Sequence, residues 1–489
     1  MVYLNRCIQD ESFNTNLYKF KYIFVDEFQD VDDSQISAFL EMQKKLGFKF
    51  FIVGDLKQSI YRFRGATMDA FSKMGCGTDQ WLTFGLNTNY RSDKRLLSQY
   101  DLLFSEMGQN GFIPYKSNQD ALVGVKCTEP LEEDEQLATK IVYTADEIKD
   151  GQFYDKLFGF VKERKAILEK RMKSLKLTPA ERTIAILVRT NKDISDVLYK
   201  SREYDIVVES DAGGDLYRLQ STIDLCKLTS ALTHPYNPVY LFDLIESNNV
   251  NIAFSVEAIV GLTDSEKTEK MVDCLSQYYK MVLGMTWQEL IKNVQSRPVL
   301  MMLRKIYEAT KPWKAESTSI ERQMHYRTNY ELLFEELTRT NRKSYLTLDA
   351  INEALHISIS TGTDAKSREL IDAVDYVKVI CTTVHRSKGL EYDSVILPFT
   401  TDKIDVLRRN ALDVTYVDGK VGYMLNLATN PVINEYFITE NEVQETKMEE
   451  ARILYVALTR AINKFVWFEK ESGTGTTWGS ILEDLDICQ

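Results

Sequence analysis

Apolar residues in this sequence follow two rhythms: short unbroken runs, and longer stretches in which they recur every three or four positions. Tyr22-Ile23-Phe24-Val25 is a run of the first kind, closing on Asp26-Glu27. Phe50-Phe51-Ile52-Val53 is another, closing on Gly54-Asp55. Between them, residues 34–46 place Ile36, Phe39 and Leu40 at helical spacing. A short apolar run bounded by turn formers predicts a strand hidden on both faces. Strand, helix, strand with brief connections predicts a parallel α/β sheet. The alternation continues with a helix over 154–175, a buried strand over 183–188 and a helix over 220–233. Pro235 and Pro238 stop that helix, because proline has no N–H for the helical ladder.

Between about residues 240 and 367 the strand signals fade, and helical patterns over 287–294, 298–310 and 330–338 dominate. Strands return at 377–382 and 394–397, followed by a hairpin over 416–425 with Asp418-Gly419 near its start. A helix over 446–460 then feeds a closing strand at 464–468. An α/β domain interrupted by a helical insertion is the economical description.

Length and charge narrow this picture only a little. With 489 residues, several domains are expected rather than one core. The net charge of −12 means that no global basic field draws in nucleic acid, although a local groove can still be basic. Seven cysteines (Cys7, Cys76, Cys127, Cys226, Cys274, Cys381 and Cys488) are scattered without a Cys-x-x-Cys pair, which argues against a disulfide framework or a zinc site. His234, His325 and His356 show no metal spacing. No apolar run approaches the length of a membrane span, and the first residues are too polar for a signal peptide. A cytoplasmic protein without a membrane segment is expected.

The candidate chemistry gathers at strand ends. Ligand sites in parallel sheets lie beyond the carboxyl ends of the strands, where neighbours splay apart. Asp26-Glu27-Phe28-Gln29-Asp30 stands at such an end. One carboxylate there can hold Mg²⁺ while its neighbour orients and deprotonates a water, which suits Asp26 and Glu27 respectively. After the second strand come Gly54-Asp55-Leu56-Lys57-Gln58 and then Tyr61-Arg62-Phe63-Arg64. The neutral amide of Gln58 can sense a γ-phosphate. Tyr61 and Phe63, interleaved with Arg62 and Arg64, form the kind of track that stacks single-stranded bases at about 1–3 kcal/mol each.

These segments resemble motifs II and III of superfamily 1 DNA helicases of the UvrD/Rep/PcrA group. Leu86-Asn87-Thr88-Asn89-Tyr90-Arg91-Ser92 resembles motif IV. The stretch from Thr382 to Asp393, with His385-Arg386-Ser387-Lys388-Gly389-Leu390-Glu391 inside it, resembles motif V. Glu449-Glu450-Ala451-Arg452 through Tyr455-Val456-Ala457-Leu458-Thr459-Arg460-Ala461 resembles motif VI. Five long motifs in family order run from Val25 to Ala461.

The resemblance implies tandem RecA-like parallel-sheet motor domains, the first incomplete: a partial first domain over 1–95, a second over 96–240 and 370–489, and a helical insertion over 241–369. It implies ATP and Mg²⁺ as cofactors, with Asp26 on the metal, Glu27 activating water, and Gln58 reporting the γ-phosphate. Tyr90 would stack on the adenine, Arg91 reach the γ-phosphate, Glu391 touch the sugar or phosphates, and Arg460 act as an arginine finger. Tyr61, Phe63, Arg64 and His385 would meet DNA. Phe63 stands where relatives usually carry Trp, so stacking would be weaker. Single-stranded DNA and its junctions with duplex are the implied partners, and ATP-driven 3′-to-5′ unwinding the implied activity.

One motif is missing. The phosphate loop, G-x-x-x-x-G-K followed by Ser or Thr, occurs nowhere. Gly419-Lys420 is followed by Val421, and Gly473-Thr474-Gly475-Thr476-Thr477 has no lysine. The family's first motifs lie well upstream of the motif II strand, and only 25 residues precede Asp26. The expectation is a truncated or split helicase, inactive alone, whose loop-bearing half could come from a separate chain. The alternative is a non-catalytic single-stranded-DNA-binding or regulatory relative. A pure binding module would have no use for Glu27, Gln58, Arg91 and Arg460, which ranks truncation or splitting first.

Overall fold

The computed structural model describes residues 6–8, 10, 20–66, 69–127, 137–210, 216–340, 346–361, 365, 368, 376–406, 412–417, 420–427, 431–471 and 475–483. Cys488, Asp418-Gly419 and Gly473-Thr474 lie outside them. The chain forms two compact units, one of residues 1–190 and 382–489, the other of residues 191–381.

In chain order the elements that matter are β1 (Tyr22–Val25), α1 (Asp33–Leu46), β2 (Lys49–Ile52), α2 (Lys94–Gln109), β3 (Ala138–Tyr143), α3 (Gln152–Ser174) and β4 (Thr183–Val188). Next come α4 (Asn191–Ser201), β5 (Glu209–Ser210), α5 (Gln220–Thr233), α6 (Asp264–Leu283), α7 (Trp287–Ser296), α8 (Val299–Thr310), α9 (Pro312–Glu316), α10 (Ile320–Thr340) and α11 (Leu348–Thr361). The last are β6 (Lys378–Thr383), β7 (Tyr392–Leu397), the antiparallel pair β8 (Leu412–Val417) and β9 (Lys420–Asn426), α12 (Thr439–Leu458) and β10 (Ala461–Lys470).

Besides a short parallel pairing of Thr88–Asn89 with Val123–Gly124, the first unit contains two parallel sheets among the described residues. One orders β3-β10-β7-β4, every pairing parallel. Its central strands are the apolar runs of the sequence, and every residue of β4 and β7 is buried. Arg164 of α3 is fastened to β7 by a buried ion pair, Nη2 to Asp393 Oδ2 at 2.8 Å, and its Nε also donates to Ser394 Oγ. Asn463 of β10 donates to the other Asp393 oxygen at 2.7 Å, so the carboxylate is held from two elements. The expected parallel α/β fold is present.

The other sheet pairs β1 with β2, Val25 opposite Ile52. α1 covers one face. It starts at a reciprocal capping box between Asp32 and Gln35 and stops at Gly47, whose φ of 68° is a conformation glycine adopts without strain. Its Ile36 and Phe39 pack with Phe48 and Phe50. The expectation of strands hidden on both faces is corrected here: Tyr22, Phe24, Phe51 and Val53 are at least half exposed, Phe24 by 73%. With only two strands and one helical layer among the described residues, the second face has nothing to pack against. Phe24 and Phe51 stack on each other instead, ring centroids 4.8 Å apart.

The second unit is mainly helical. Tyr279, Trp287, Tyr307 and Tyr330 are among the aromatic residues of its core, with Tyr307 and Tyr330 stacked at 3.9 Å. β5 and β6 pair in parallel at its margin. The helix expected over 330–338 is longer, Ile320–Thr340, because its polar first turns were not legible as an apolar stripe. Among the described residues there is no helix long and apolar enough to cross a membrane, no cluster of three metal-ligating side chains, and no disulfide.

Candidate nucleotide and nucleic-acid site

All the candidate residues belong to the first unit. The ladder between β1 and β2 continues past their ends, Val53 N–H donating to Val25 O and Phe28 N–H to Val53 O. This brings the motif II and motif III turns against one another. Gly54 permits the approach, since a Cβ there would collide with the Gln29 side chain and the Phe71 ring. Gln29, 1% exposed, is the joint between the two turns: its Oε1 accepts from Asp55 N–H at 2.9 Å and its Nε2 donates to Glu27. Ser59 Oγ donates to its carbonyl.

Glu27 stands in the left-handed region, φ 50° and ψ 42°, which costs a non-glycine residue on the order of 1 kcal/mol or more. That turn projects the carboxylate out of the strand end, and its side chain is 54% exposed. Asp26 is exposed beside it and accepts the Glu27 N–H at 2.8 Å.

Motif V meets this turn through Lys388, whose side chain is 7% exposed. Its Nζ lies 2.6 Å from Asp30 Oδ2 and 3.3 Å from Glu27 Oε2, and donates to Gln58 O at 3.1 Å. One ammonium thus ties motif II, motif III and motif V together. Burial pushes the Asp30 carboxyl above the ordinary carboxylate range, against the pull of Lys388. The Gln58 amide donates to Asp55 Oδ2.

Motifs IV and VI close the other side. Arg91 donates from Nε to Glu391 Oε2 at 2.9 Å and from Nη1 to Thr459 O at 3.1 Å. Ser92 Oγ donates to Ala461 O, and Asp93 N–H to Ile462 O, fastening the start of α2 to β10. The expected helix over 446–460 in fact ends at Leu458, so Arg460 lies in the turn between α12 and β10. Arg460 is 1% exposed, its guanidinium donating to Val456 O, Leu390 O and Thr459 Oγ1. Burial, then the neighbouring Arg91 charge, pushes it down to about 10, while Tyr455, Tyr392 and Glu27 act the other way. Glu27, Arg91 and Arg460 therefore share one electrostatic environment, and Gln58 joins it through Lys388. Arg452 of α12, fully buried, donates from Nε to Ser59 O at 2.8 Å, and its two terminal nitrogens make no hydrogen bond among the described residues.

Beside this cleft, Tyr61, Phe63 and His385 form a three-ring cluster with centroids 5.8–6.0 Å apart. Tyr61 OH donates to His385 O, Arg64 lies over both the Tyr61 and Phe63 rings, and Phe63 is 65% exposed. Arg62 takes no part, because it forms a two-pronged pair with Glu442 of α12. Tyr90 is 75% exposed, its ring open to a planar partner.

The donor set fits a nucleotide triphosphate with its metal. Exposed Asp26 and Glu27 suit a hydrated divalent ion, Arg91 and Arg460 suit phosphate oxygens, and Tyr90 offers a stacking face. Sequence reasoning placed each of these residues but missed Gln29, Lys388 and Arg452. All three lie inside quoted motifs; their partners lie up to several hundred positions away, so spacing alone gave no signal.

Comparison with known proteins gives the family. The family model of the UvrD-like helicase C-terminal domain matches residues 84–468, and that of the UvrD/REP helicase N-terminal domain matches residues 3–76. The chain belongs to the UvrD-like helicase family. It is similar to a subunit of the ATP-dependent helicase/nuclease of Listeria monocytogenes serotype 4b (strain F2365), 23% identical with 92% of this chain and 39% of the relative covered. It is also similar to the RecBCD enzyme subunit RecB of Buchnera aphidicola subsp. Schizaphis graminum, 24% identical over 94% of this chain and 38% of the relative. RecB of Buchnera aphidicola subsp. Acyrthosiphon pisum is 26% identical over similar shares. The chain thus spans about two fifths of the length of these relatives.

Proposed function

We propose that this chain is the motor portion of an ATP-dependent DNA helicase that moves 3′-to-5′ along single-stranded DNA and works at its junctions with duplex. What supports the reading is that contacts link four motifs: Lys388 ties Glu27 to Gln58, Arg91 bonds the Thr459 carbonyl next to Arg460, and Arg460 feels the charges of both Arg91 and Glu27. ATP with Mg²⁺ supplies the transferable γ-phosphoryl group when bound. Asp26 holds the metal side of the site, and Glu27 takes the proton of the attacking water. Arg91 and Arg460 offset developing negative charge, Glu391 positions Arg91 and the nucleotide sugar, and Tyr90 stacks on the base. Tyr61, Phe63, Arg64 and His385 hold the DNA, so Lys388 and Gln58 stand between the two ligands. The domain scheme is the one expected from sequence: 1–95 as part of one RecA-like domain, 96–240 with 370–489 as another, and 241–369 as the insertion. The assigned setting is the cytoplasm.

The 489 residues contain no phosphate loop, so we assign them little ATP turnover of their own. A segment bearing that loop, in cis or as a separate chain, completes the site. The exposed aromatic face of β1 and β2 supports this, since a large apolar patch usually marks a surface that another element covers. The test is DNA-stimulated ATP hydrolysis by the purified chain. Background turnover is expected, and turnover comparable to an intact helicase would overturn the assignment.

A further inference from the structure

A cavity lies wholly within the helical unit and shares no residue with the motif segments described above. It encloses about 400 Å³ between α4, the stretch after it, the start of α5, the end of α9 and the first turns of α10. That volume falls within the range of small-molecule sites. Part of its lining is apolar: Leu198, Ile206, Val208, Leu219 and Ile223. The rest is rich in donors, including Arg202, Arg218, Arg322, Ser221 and His325.

Glu316, Asp224 and Asp205 near the cavity are engaged by other groups, whereas Arg202, Arg218 and Ser221 meet no carboxylate among the described residues. Glu316 accepts from Arg322 at 2.6 Å and from Asn248 at 2.9 Å. Asp224 accepts from Tyr326 OH, Asn248 and Gln220. Asp205 bonds Ser317 and lies 3.9 Å from Arg322, and Asp196 lines the cavity from an exposed position. Arg202 reaches only neutral acceptors, Gln220 Oε1 at 3.1 Å and Arg218 O at 2.9 Å, and forms no ion pair among the described residues. Arg218 likewise ends on a neutral group, Ser195 Oγ. The Ser221 hydroxyl, 1% exposed, has no hydrogen-bond partner among the described residues. Burial, then the Arg322 and Arg202 charges, holds His325 down to about 4, so its ring adds no positive charge at neutral pH. Burial holds the Arg202 guanidinium below its ordinary range although Glu316 and Asp224 act on it from a distance; with no direct ion pair and an orphaned buried hydroxyl beside it, it carries a desolvation cost that an oxyanion would relieve.

We propose that this cavity binds a small organic anion, its single phosphate or carboxylate group taken by Arg202 and Ser221 Oγ. The body of the ligand, planar or aliphatic, lies against Ile206, Val208, Leu219 and Ile223. The two anion chemistries share the same donors, and the probes separate them.

The test titrates the full chain, labelled at Ile, Leu and Val methyls, with phenyl phosphate, phenylacetate, benzyl alcohol and inorganic phosphate, following the methyl signals by NMR. At least one of the two aromatic anions is expected to shift the Ile206, Val208 and Ile223 methyls saturably, and whichever binds more tightly identifies the anion class. Benzyl alcohol, with the body but no charge, and inorganic phosphate, with the charge but no body, are expected to bind at least about tenfold more weakly. Arg202→Gln is expected to weaken the anion by about tenfold and Ser221→Ala by a few-fold. The proposal is overturned if neither aromatic anion moves those methyls, or if benzyl alcohol binds as well as they do. That comparison uses the wild-type chain and does not depend on a variant folding.

Discussion

Glu27 and Lys388 show how much of the site rests on single side chains. Glu27 is held in a left-handed turn with its carboxylate between Gln29 and Lys388. In a site completed by a phosphate loop, Glu27→Gln is expected to lower ATP turnover by a factor on the order of 10² to 10⁴, the usual worth of a general base. Single-stranded DNA affinity, measured by fluorescence anisotropy, should stay within about twofold, because Glu27 lies outside the aromatic cluster. Lys388 neutralises Asp30 in a site where both are mostly withdrawn from water. Lys388→Met leaves Asp30 half-buried without its cation and is expected to lower the unfolding free energy by roughly 2–4 kcal/mol in denaturant titration; an unchanged midpoint would show that water reaches Asp30 freely. Phe63→Ala should weaken single-stranded DNA by about 1–3 kcal/mol, and Phe63→Trp should tighten it. Glu27, Arg91 and Phe63 were legible because their chemistry is local to a motif. Gln29, Lys388 and Arg452 were not, because their importance is defined by what they touch across the fold.

At the scale of elements, the buried runs β4, β7 and β10 were visible in the sequence because a strand covered on both sides is apolar throughout. The same rule misled for β1 and β2, where an equally apolar run has one face open. Apolar composition records what a surface is suited to pack against, and the described residues cover only one side of that pair. Arg460 was assigned to a helix that stops two residues earlier; it stands where α12 turns into β10, and three oxygen acceptors fix its guanidinium there. The tie between α3 and β7 has no sequence signature at all, since Arg164 and Asp393 are 229 positions apart. Both are about 1% exposed, so Arg164→Leu leaves a buried carboxylate with only Asn463 and Ser394 for company. It is expected to cost roughly 3–5 kcal/mol, read as a lower thermal midpoint with the helical unit's near-UV signal less affected.

For the whole molecule, an acidic net charge coexists with a site rich in cations because Arg91, Arg452, Arg460 and Lys388 are gathered in one unit from distant motifs. The helical unit adds a pH dependence of its own. His325 has a folded pKa of about 4, below its ordinary 6.5, so the unfolded chain takes up the proton first as pH falls. Stability tied to this group is therefore complete above about 6.5 and is lost on acidification towards 4. Between pH 7 and 5 the loss should be roughly 2 kcal/mol, and His325→Gln should flatten that slope; an identical slope in the variant would place the proton uptake elsewhere. The most direct test of the motor assignment is single-stranded-DNA-stimulated ATP hydrolysis by this chain supplied with a phosphate-loop segment, comparing the wild type with Arg460→Ala. If the four motifs form one nucleotide cleft, hydrolysis should rise with DNA in the wild type and fall by about 10³-fold or more in the variant. Equal turnover in both would contradict the shared cleft.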